Sequence, residues 1–412
     1  MKSPHLAHFM PNPGEALDWK SMSDAFPWIE AMKGSTQDPV HHAEGDVWVH
    51  TRMVTEELVA SSEWQLESYE NRFISFAAAV LHDVAKPRTR TAIDGRITNP
   101  GHSRVGAIDA RNILWEMNVP INIREEVCAI IRVHQWPFYA VERLHTDREW
   151  EALRVLAATS FNTTNKKLAM MAEADLRGRI CSDHDKILDN IELFRYMAQE
   201  LDCFEHPFKF HNDHTRLKYF QEPDRFRPEA IIFDDTSDDF VMTVISGLAG
   251  AGKSHWVKEA TSDRGYLAGQ PVISLDGIRS ELKIKPTDNQ GMVSQLSKQR
   301  AKEYLGAKRS FVWDATNVGL QQREPLTAMA MRYGARVRMV YIEASLSDLL
   351  AGNKGRDQEV PLKDIQRMRH RWEPPTLAEC HVRENFLRSE YALPKDPSFE
   401  QKDFESTAMS HR

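Results

Sequence analysis

The sequence predicts a two-part protein: an all-α N-terminal half, then an α/β C-terminal half with a parallel sheet. Three observations carry this. The chain has 412 residues, and single cores stop growing at about 250–300. From about Val47 to Phe194 apolar residues recur at helical spacing, with no strand-like alternation. From Phe240 onward, short β-branched runs alternate with helical ones, the pattern of strands joined by crossover helices.

In chain order, the first 40 residues are rich in Pro and Met and read as a short cap. Helices are predicted over Phe73–Leu81, Ile123–His134, Lys166–Asp175 and Lys186–Cys203, the second with apolar residues at i, i+4, i+7 and i+8. The prolines and missing periodicity of 204–239 mark a connector. Strands are predicted over Val241–Ser246, Val272–Leu275, Ser310–Trp313 and Arg336–Ile342, with a helix opening at Lys253 and another over Met292–Leu305. The expected domains are therefore 1–203, a connector 204–239, 240–395, and a polar, frayed tail 396–412.

Composition narrows the classes of function. Charged residues at 27% and hydrophobic residues at 41% are the balance of a soluble globular chain. A net charge of −7 argues against a uniformly basic duplex-binding surface, yet leaves room for a local basic groove on a strand end. No apolar run approaches the roughly 20 residues of a membrane span, so no membrane partner is expected. The N-terminus lacks an apolar signal segment, and Cys128, Cys181, Cys203 and Cys380 form no CxxC pair. A cytoplasmic, reduced protein is expected; its oligomeric state is not legible.

The strongest motif is the run Gly247–Ser254 (GLAGAGKS), between an apolar strand and a helix. Its residues Gly247, Gly250, Ala251 and Gly252 let successive backbone N–H groups face phosphate oxygens. Lys253 would reach the β- and γ-phosphates of ATP or another NTP, and Ser254 would supply a hydroxyl to Mg²⁺. Asp276, just after the second strand, could accept a hydroxyl proton, although an Asp there also suits a helix cap. Arg279, one helical turn on, could hold an anionic acceptor group. Asp314 closes the third strand and could orient Arg279 or hold the Mg²⁺ water shell. Arg356, in the glycine-flanked stretch Gly352–Pro361, could close over the nucleotide and stabilise transition-state charge. Arg367, Arg369 and Arg371 suit a solvated helix face.

Seventeen histidines are the compositional oddity. An ordered set, His50, His82-Asp83, His102, His134 and Asp175, lies at or near helix ends or within helices. One such histidine is most simply a hydrogen-bonded core or surface residue. The whole set on a helical background points to a metal site, since imidazole and carboxylate together suit borderline divalent metals. Lys86, one turn past the pair, could contact a phosphate.

The order P-loop, Asp276-x-x-Arg279, Asp314-x-Thr316-Asn317, then Arg356 before Val360-Pro361 resembles the 5′-hydroxyl polynucleotide kinases over about 150 residues. The resemblance implies that Asp276 is the general base toward a 5′-OH, Arg279 grips the acceptor strand's 3′ phosphate, and Arg356 is the lid arginine. The histidine set resembles the HD phosphohydrolases, which implies His50, His82, Asp83 and Asp175 as ligands of a transition metal such as Mn²⁺, Ni²⁺ or Co²⁺. His102 and His134 match the added histidines of binuclear members. The run His42-Ala-Glu44-Gly-Asp46…His50-Thr51 is similar to the HD domains of tRNA CCA-adding enzymes, which act on 2′,3′-cyclic and 2′-phosphate ends.

Together the halves resemble the bacterial HD-Pnk end-healing enzymes over about 350 residues. That resemblance implies a bifunctional enzyme on RNA ends, DNA being a possible second substrate. It would phosphorylate a 5′-OH with ATP and clear a 2′-phosphate or 2′,3′-cyclic phosphate, leaving ends that a separate RNA ligase can join. The alternatives are a nucleoside or nucleotide kinase fused to a nucleotide phosphohydrolase, and a nucleotide-gated adaptor with a vestigial HD site.

Overall fold

A computed structural model gives the fold and describes residues 4–93, 96–139, 142, 146–285, 288–356 and 359–394. The expected tail 396–412 lies outside these residues, as do two positions, 357 and 358, of the glycine-flanked stretch. The described chain falls into two compact units, Met1–Phe208 with Tyr391–Arg412, and Lys209–Glu390.

The first unit is helical. Its main helices are Val47–Ala60, Tyr69–Leu81, His102–Glu116, Ile121–Val133, Glu149–Ser160, Asn165–Arg177 and His184–Glu200. Side-chain caps fix where three of them start. Asp46, Ser68 and Thr164 each accept the N–H of the residue three positions on, satisfying a donor the helix itself cannot pair. The core gathers Val54, Leu58, Phe73, Phe76, Val80, Val127 and Ile131. Tyr69–Leu81 is buried on every side from Arg72 onward, as the apolar run Phe73–Leu81, broken only by Ser75, dictates. One departure from the all-α expectation is a two-stranded antiparallel ribbon, β1 (Thr91–Ile93) and β2 (Arg96–Thr98), with Thr91 opposite Thr98. At three residues per strand it is too short to show alternation in sequence.

In the second unit, β3 (Ser237–Ser246), β4 (Val272–Ser274), β5 (Phe311–Asp314), β6 (Ala335–Glu343) and β7 (Val382–Leu387) form one parallel sheet in the order β4-β5-β3-β6-β7. Central β3 is buried continuously from Phe240 to Ser246 because helices cover both faces. One layer contains Met242, Val244, Phe311, Trp313 and Met339; the other contains Ile245, Val257, Val312, Val340 and Ile342. The helices between the strands are Lys253–Ala260, Leu275–Leu282, Gln290–Gly306, Leu320–Arg332, Leu346–Lys354 and Leu362–Arg369.

Three sequence expectations change. The strand predicted to run through Leu275 stops at Ser274, whose hydroxyl caps a helix beginning at Leu275. Asp276 therefore lies in the first turn of that helix. Strand β7 is a fifth strand with no sequence signal, because this edge strand is half solvated and alternates only weakly. The connector 204–239 contains the helix Asp213–Gln221, capped by Asn212, and the start of β3.

Candidate metal and nucleotide sites

Five segments of the helical unit deliver the ordered histidines and aspartates to one place. His50 sits one turn into its helix, His82 and Asp83 follow Leu81, His102 opens its helix, His134 follows Val133, and Asp175 lies in the last turn of Asn165–Arg177. The crossing of the first and last of these helices depends on Gly178. A Cβ there would stand 2.4 Å from the Val54 nitrogen, so a larger residue would push His50 and Asp175 apart. As folded, His50 Nε2 is 3.1 Å from Asp175 Oδ1.

Asp83 straddles two ligand sets. Its Oδ2 lies 3.1 Å from His82 Nε2 and 3.7 Å from His50 Nε2, while Oδ1 lies 3.6 Å from His102 Nε2. His50, His82 and Asp83 group ligand atoms within 4.8 Å of one another, and so do Asp83, His102 and His134. Adjacent corners of a polyhedron with bonds of about 2.1 Å are roughly 3.0–3.4 Å apart, close to these separations. The set could hold two divalent ions with Asp83 between them.

Two further features fit a metal. Both Asp83 oxygens, Asp175 Oδ2 and His134 Nε2 are buried without a hydrogen-bond partner, an arrangement that is costly unless a cation fills it. Cationic neighbours of Asp83, with Lys86 Nζ 2.7 Å from Oδ2, lie within ion-pair range without hydrogen-bonding geometry. The imidazoles are also pre-set. In His82, His102 and His134, Nδ1 donates over 2.8 Å to the carbonyls of Ala79, Asn99 and Ile131, which leaves each Nε2 a lone pair. Burial pushes His134 down to about 3, so it is the neutral imidazole a metal requires. Burial would raise the Asp83 carboxyl, but His82 and Lys86 hold it well below the usual carboxylate range.

A second layer of residues carries no assigned role in the sequence reading, although His42 and Glu44 lie in the quoted run before His50. Glu44 Oε1 lies 2.8 Å from His42 Nδ1 and 2.9 Å from His50 Nδ1. Burial opposes its charge, yet bonds from the two histidines hold its carboxyl well below the ordinary value. Arg179, one helical turn past Asp175, pairs with it at 2.8 Å and lies over the Phe138 ring. Their spacings, six residues before His50 and four after Asp175, were the only available signal.

In the second unit the P-loop follows β3. Gly247, at φ 152°, donates to the Thr316 carbonyl over 2.9 Å, and a Cβ there would stand 2.3 Å from the Ile342 carbonyl oxygen. Gly250, Ala251 and Gly252 complete the turn into the helix that Lys253 opens, and Ser254 is exposed at its first turn. The Lys253 ammonium donates to the Leu248 carbonyl over 2.9 Å. Burial brings it down to about 8, helped by Arg356 and opposed by Asp314.

The other predicted residues gather at the C-terminal edge of the sheet, where ligands bind in such folds. Asp276 pairs with Arg279 and lies 3.7 Å from Arg356 Nη2. Burial raises the Asp314 carboxyl, opposed by Lys253 and by a hydrogen bond from Ser274. Arg279 pairs with Asp276 and Gln290. Asn317 turns inward and donates to the Ile245 carbonyl, bracing the strand before the P-loop. Arg388, after β7, lies against Gly252 and donates to the Ala251 carbonyl over 3.4 Å. Nothing in the sequence singled it out, since β7 itself was unseen.

Comparison with known proteins agrees with this division. Residues 47–187 match the HD domain family and residues 242–375 match an AAA domain family. The chain therefore joins an HD domain to a P-loop, kinase-like domain, and both support enzymatic activity. HD domains bind divalent metals, and P-loop kinases use ATP and Mg²⁺. The multifunctional CCA protein of Halorhodospira halophila (strain DSM 244 / SL1) is 31% identical over 122 residues, 30% of this chain and 27% of that protein. The multifunctional CCA protein of Methylococcus capsulatus (strain ATCC 33009 / NCIMB 11132 / Bath) is 29% identical over 163 residues, 39% and 36% of the two chains. The chain thus spans about a third of each relative or less. Among the described residues no helix is long and apolar enough to cross a membrane, and all four cysteines are free.

Proposed function

We propose that this protein heals RNA ends, removing a 2′-phosphate or opening a 2′,3′-cyclic phosphate with its HD half and phosphorylating a 5′-OH with its P-loop half. The observation that carries the reading is Asp83, buried without hydrogen bonds and shared between two sets of histidines whose Nε2 atoms converge on it. Two divalent ions at that place would offset phosphate charge and lower the pKa of water. His50, His82, Asp83 and Asp175 would hold one, and Asp83, His102 and His134 the other. Lys86 and Arg179 stand beside the cluster, where a phosphate would meet their cations.

In the other half, Gly247, Gly250, Ala251, Gly252 and Lys253 would cradle the ATP phosphates, with Ser254 and Asp314 on the Mg²⁺ side. Asp276 would take the proton of the attacking hydroxyl while Arg279 shifts to the acceptor's phosphate and Arg356 to the γ-phosphate. The Asp276 side chain is 71% exposed, so the acceptor end need not be engulfed. That favours a strand end over a small alcohol held in a closed pocket. The product ends suit a separate ligase.

The test is separability. Lys253→Ala should abolish labelling of 5′-OH RNA by ATP and spare phosphate release, while Asp83→Ala should do the reverse. Efficient turnover of free nucleosides and dNTPs, with none of oligonucleotides, would replace this reading with the small-molecule alternative. ATP turnover that survives Asp276→Ala would favour a nucleotide-gated adaptor instead.

A further inference from the structure

Beside the metal cluster opens a cleft of about 190 Å³, with Lys86 and His102 in its wall. Its inner wall also has Arg179, Gln37 and His42, all buried; its rim has Arg96 and Thr98 of β2, His41 and Tyr139. The cleft is small and open, so a substrate seated in it by a terminal phosphorylated sugar would extend across the rim.

The rim suits a nucleic-acid strand. Arg96 projects with its side chain 69% exposed, its one described ion pair being a loose 3.5 Å contact with Asp38, the sole carboxylate among the described residues that line the cleft. Tyr139 is 47% exposed, a large aromatic face at the mouth of a cationic cleft. An aromatic face beside a cation that tracks the backbone is how single strands are bound without reading sequence.

We infer that this rim is a strand-binding subsite: Tyr139 stacks on the base next to the terminal nucleotide and Arg96 holds the phosphate between them. This rests on the phosphohydrolase reading and deepens it, because the HD half would then prefer a strand end to a mononucleotide or a dNTP, whatever the terminal base.

The experiment compares kcat/KM on a 10-nucleotide RNA ending in 2′-phosphate with kcat/KM on the matching 2′-mononucleotide, in the full chain. The wild type should prefer the RNA. Tyr139→Ala and Arg96→Ala should each lower the RNA-to-mononucleotide ratio by roughly tenfold or more, the scale of a lost stacked base. Tyr139→Phe should keep it. If the wild type turns over both substrates equally, or the ratio survives both alanine variants, the subsite is refuted and the phosphohydrolase stands. If neither substrate nor p-nitrophenyl phosphate is hydrolysed with Mn²⁺, Ni²⁺ or Co²⁺, the phosphohydrolase reading itself fails. Anisotropy of a labelled phosphate-ended RNA then decides the subsite, weaker binding by both alanine variants upholding it and unchanged binding refuting it.

Discussion

Replacing Lys253 with methionine should abolish phosphoryl transfer and yet stabilise the nucleotide-free kinase unit near neutral pH. Lys253 is held charged in a buried place, and its pKa falls from 10.5 to about 8. A fall of that size corresponds to about 3 kcal/mol of cost to the folded state when the lysine is protonated. The figure already includes the attraction of Asp314. Methionine fills similar space without charge but gives up the charge-assisted bond to the Leu248 carbonyl, worth about 1.5–3 kcal/mol. The variant should therefore gain up to about 1.5 kcal/mol at pH 7. The sign of the pH dependence follows from the lowered pKa. Below about 8 the folded protein carries the full cost; between 8 and 10.5 the folded lysine is neutral while the unfolded one still binds a proton. Wild-type stability rises across that window, and the advantage of Lys253→Met should vanish by pH 10. Amide exchange in the β3 peptide reads the opening of this unit, and comparing both proteins at each pH cancels the intrinsic exchange rate. Mg-ATP should reverse the order, protecting the wild type and leaving the variant unchanged. A difference constant from pH 7 to 10, or a destabilised variant at pH 7, would refute the reasoning.

Other outcomes follow from the same geometry. Glu44→Gln should weaken metal binding about 10- to 100-fold, read by competition with a chelating dye, because the residue that orients His50 no longer carries charge. Gly178→Ala should lower both metal content and thermal stability of the helical unit, as its Cβ meets the Val54 backbone. Asp276→Asn should cut kcat for 5′-phosphorylation about 10²- to 10⁴-fold with little change in KM for ATP, if Asp276 takes the acceptor's proton as proposed. Asn317→Ala should cost about 1–3 kcal/mol by leaving the buried Ile245 carbonyl unpaired, measured by amide exchange in β3.

What the sequence made legible was chemistry that is local along the chain. The P-loop announces itself because glycines, lysine and serine must be contiguous to wrap phosphates. His82 and Asp83 are adjacent, and the remaining candidate ligands sit at or near helix ends, where a 3.6-residue period stops and a polar residue stands out. The residues that escaped act across the fold. Glu44 reaches His50 from a loop with no periodicity, and Arg388 reaches the P-loop from an edge strand that alternates too weakly to be seen. Arg179 is next to a predicted ligand, but its role depends on lying over Phe138.

Asp276 shows what a local reading leaves out. Its place after a strand suggested a carboxylate held out at the sheet edge and free to act. Ser274 instead caps a helix that begins one residue earlier, and in that first turn Asp276 meets Arg279 one turn on. An i, i+3 pair of this kind is weak when exposed, worth about 0.2–0.5 kcal/mol, so an arriving phosphate can displace Asp276 from Arg279 at little cost. On the proposed kinase reading, the pairing holds Asp276 in position until an anionic acceptor arrives and takes Arg279 from it. Arg279→Lys keeps the charge but loses the fork that grips a phosphate, so it should raise KM for phosphate-bearing acceptors far more than for a 5′-hydroxyl nucleoside lacking one. Equal effects on both acceptors would mean that Arg279 serves the helix and not the substrate.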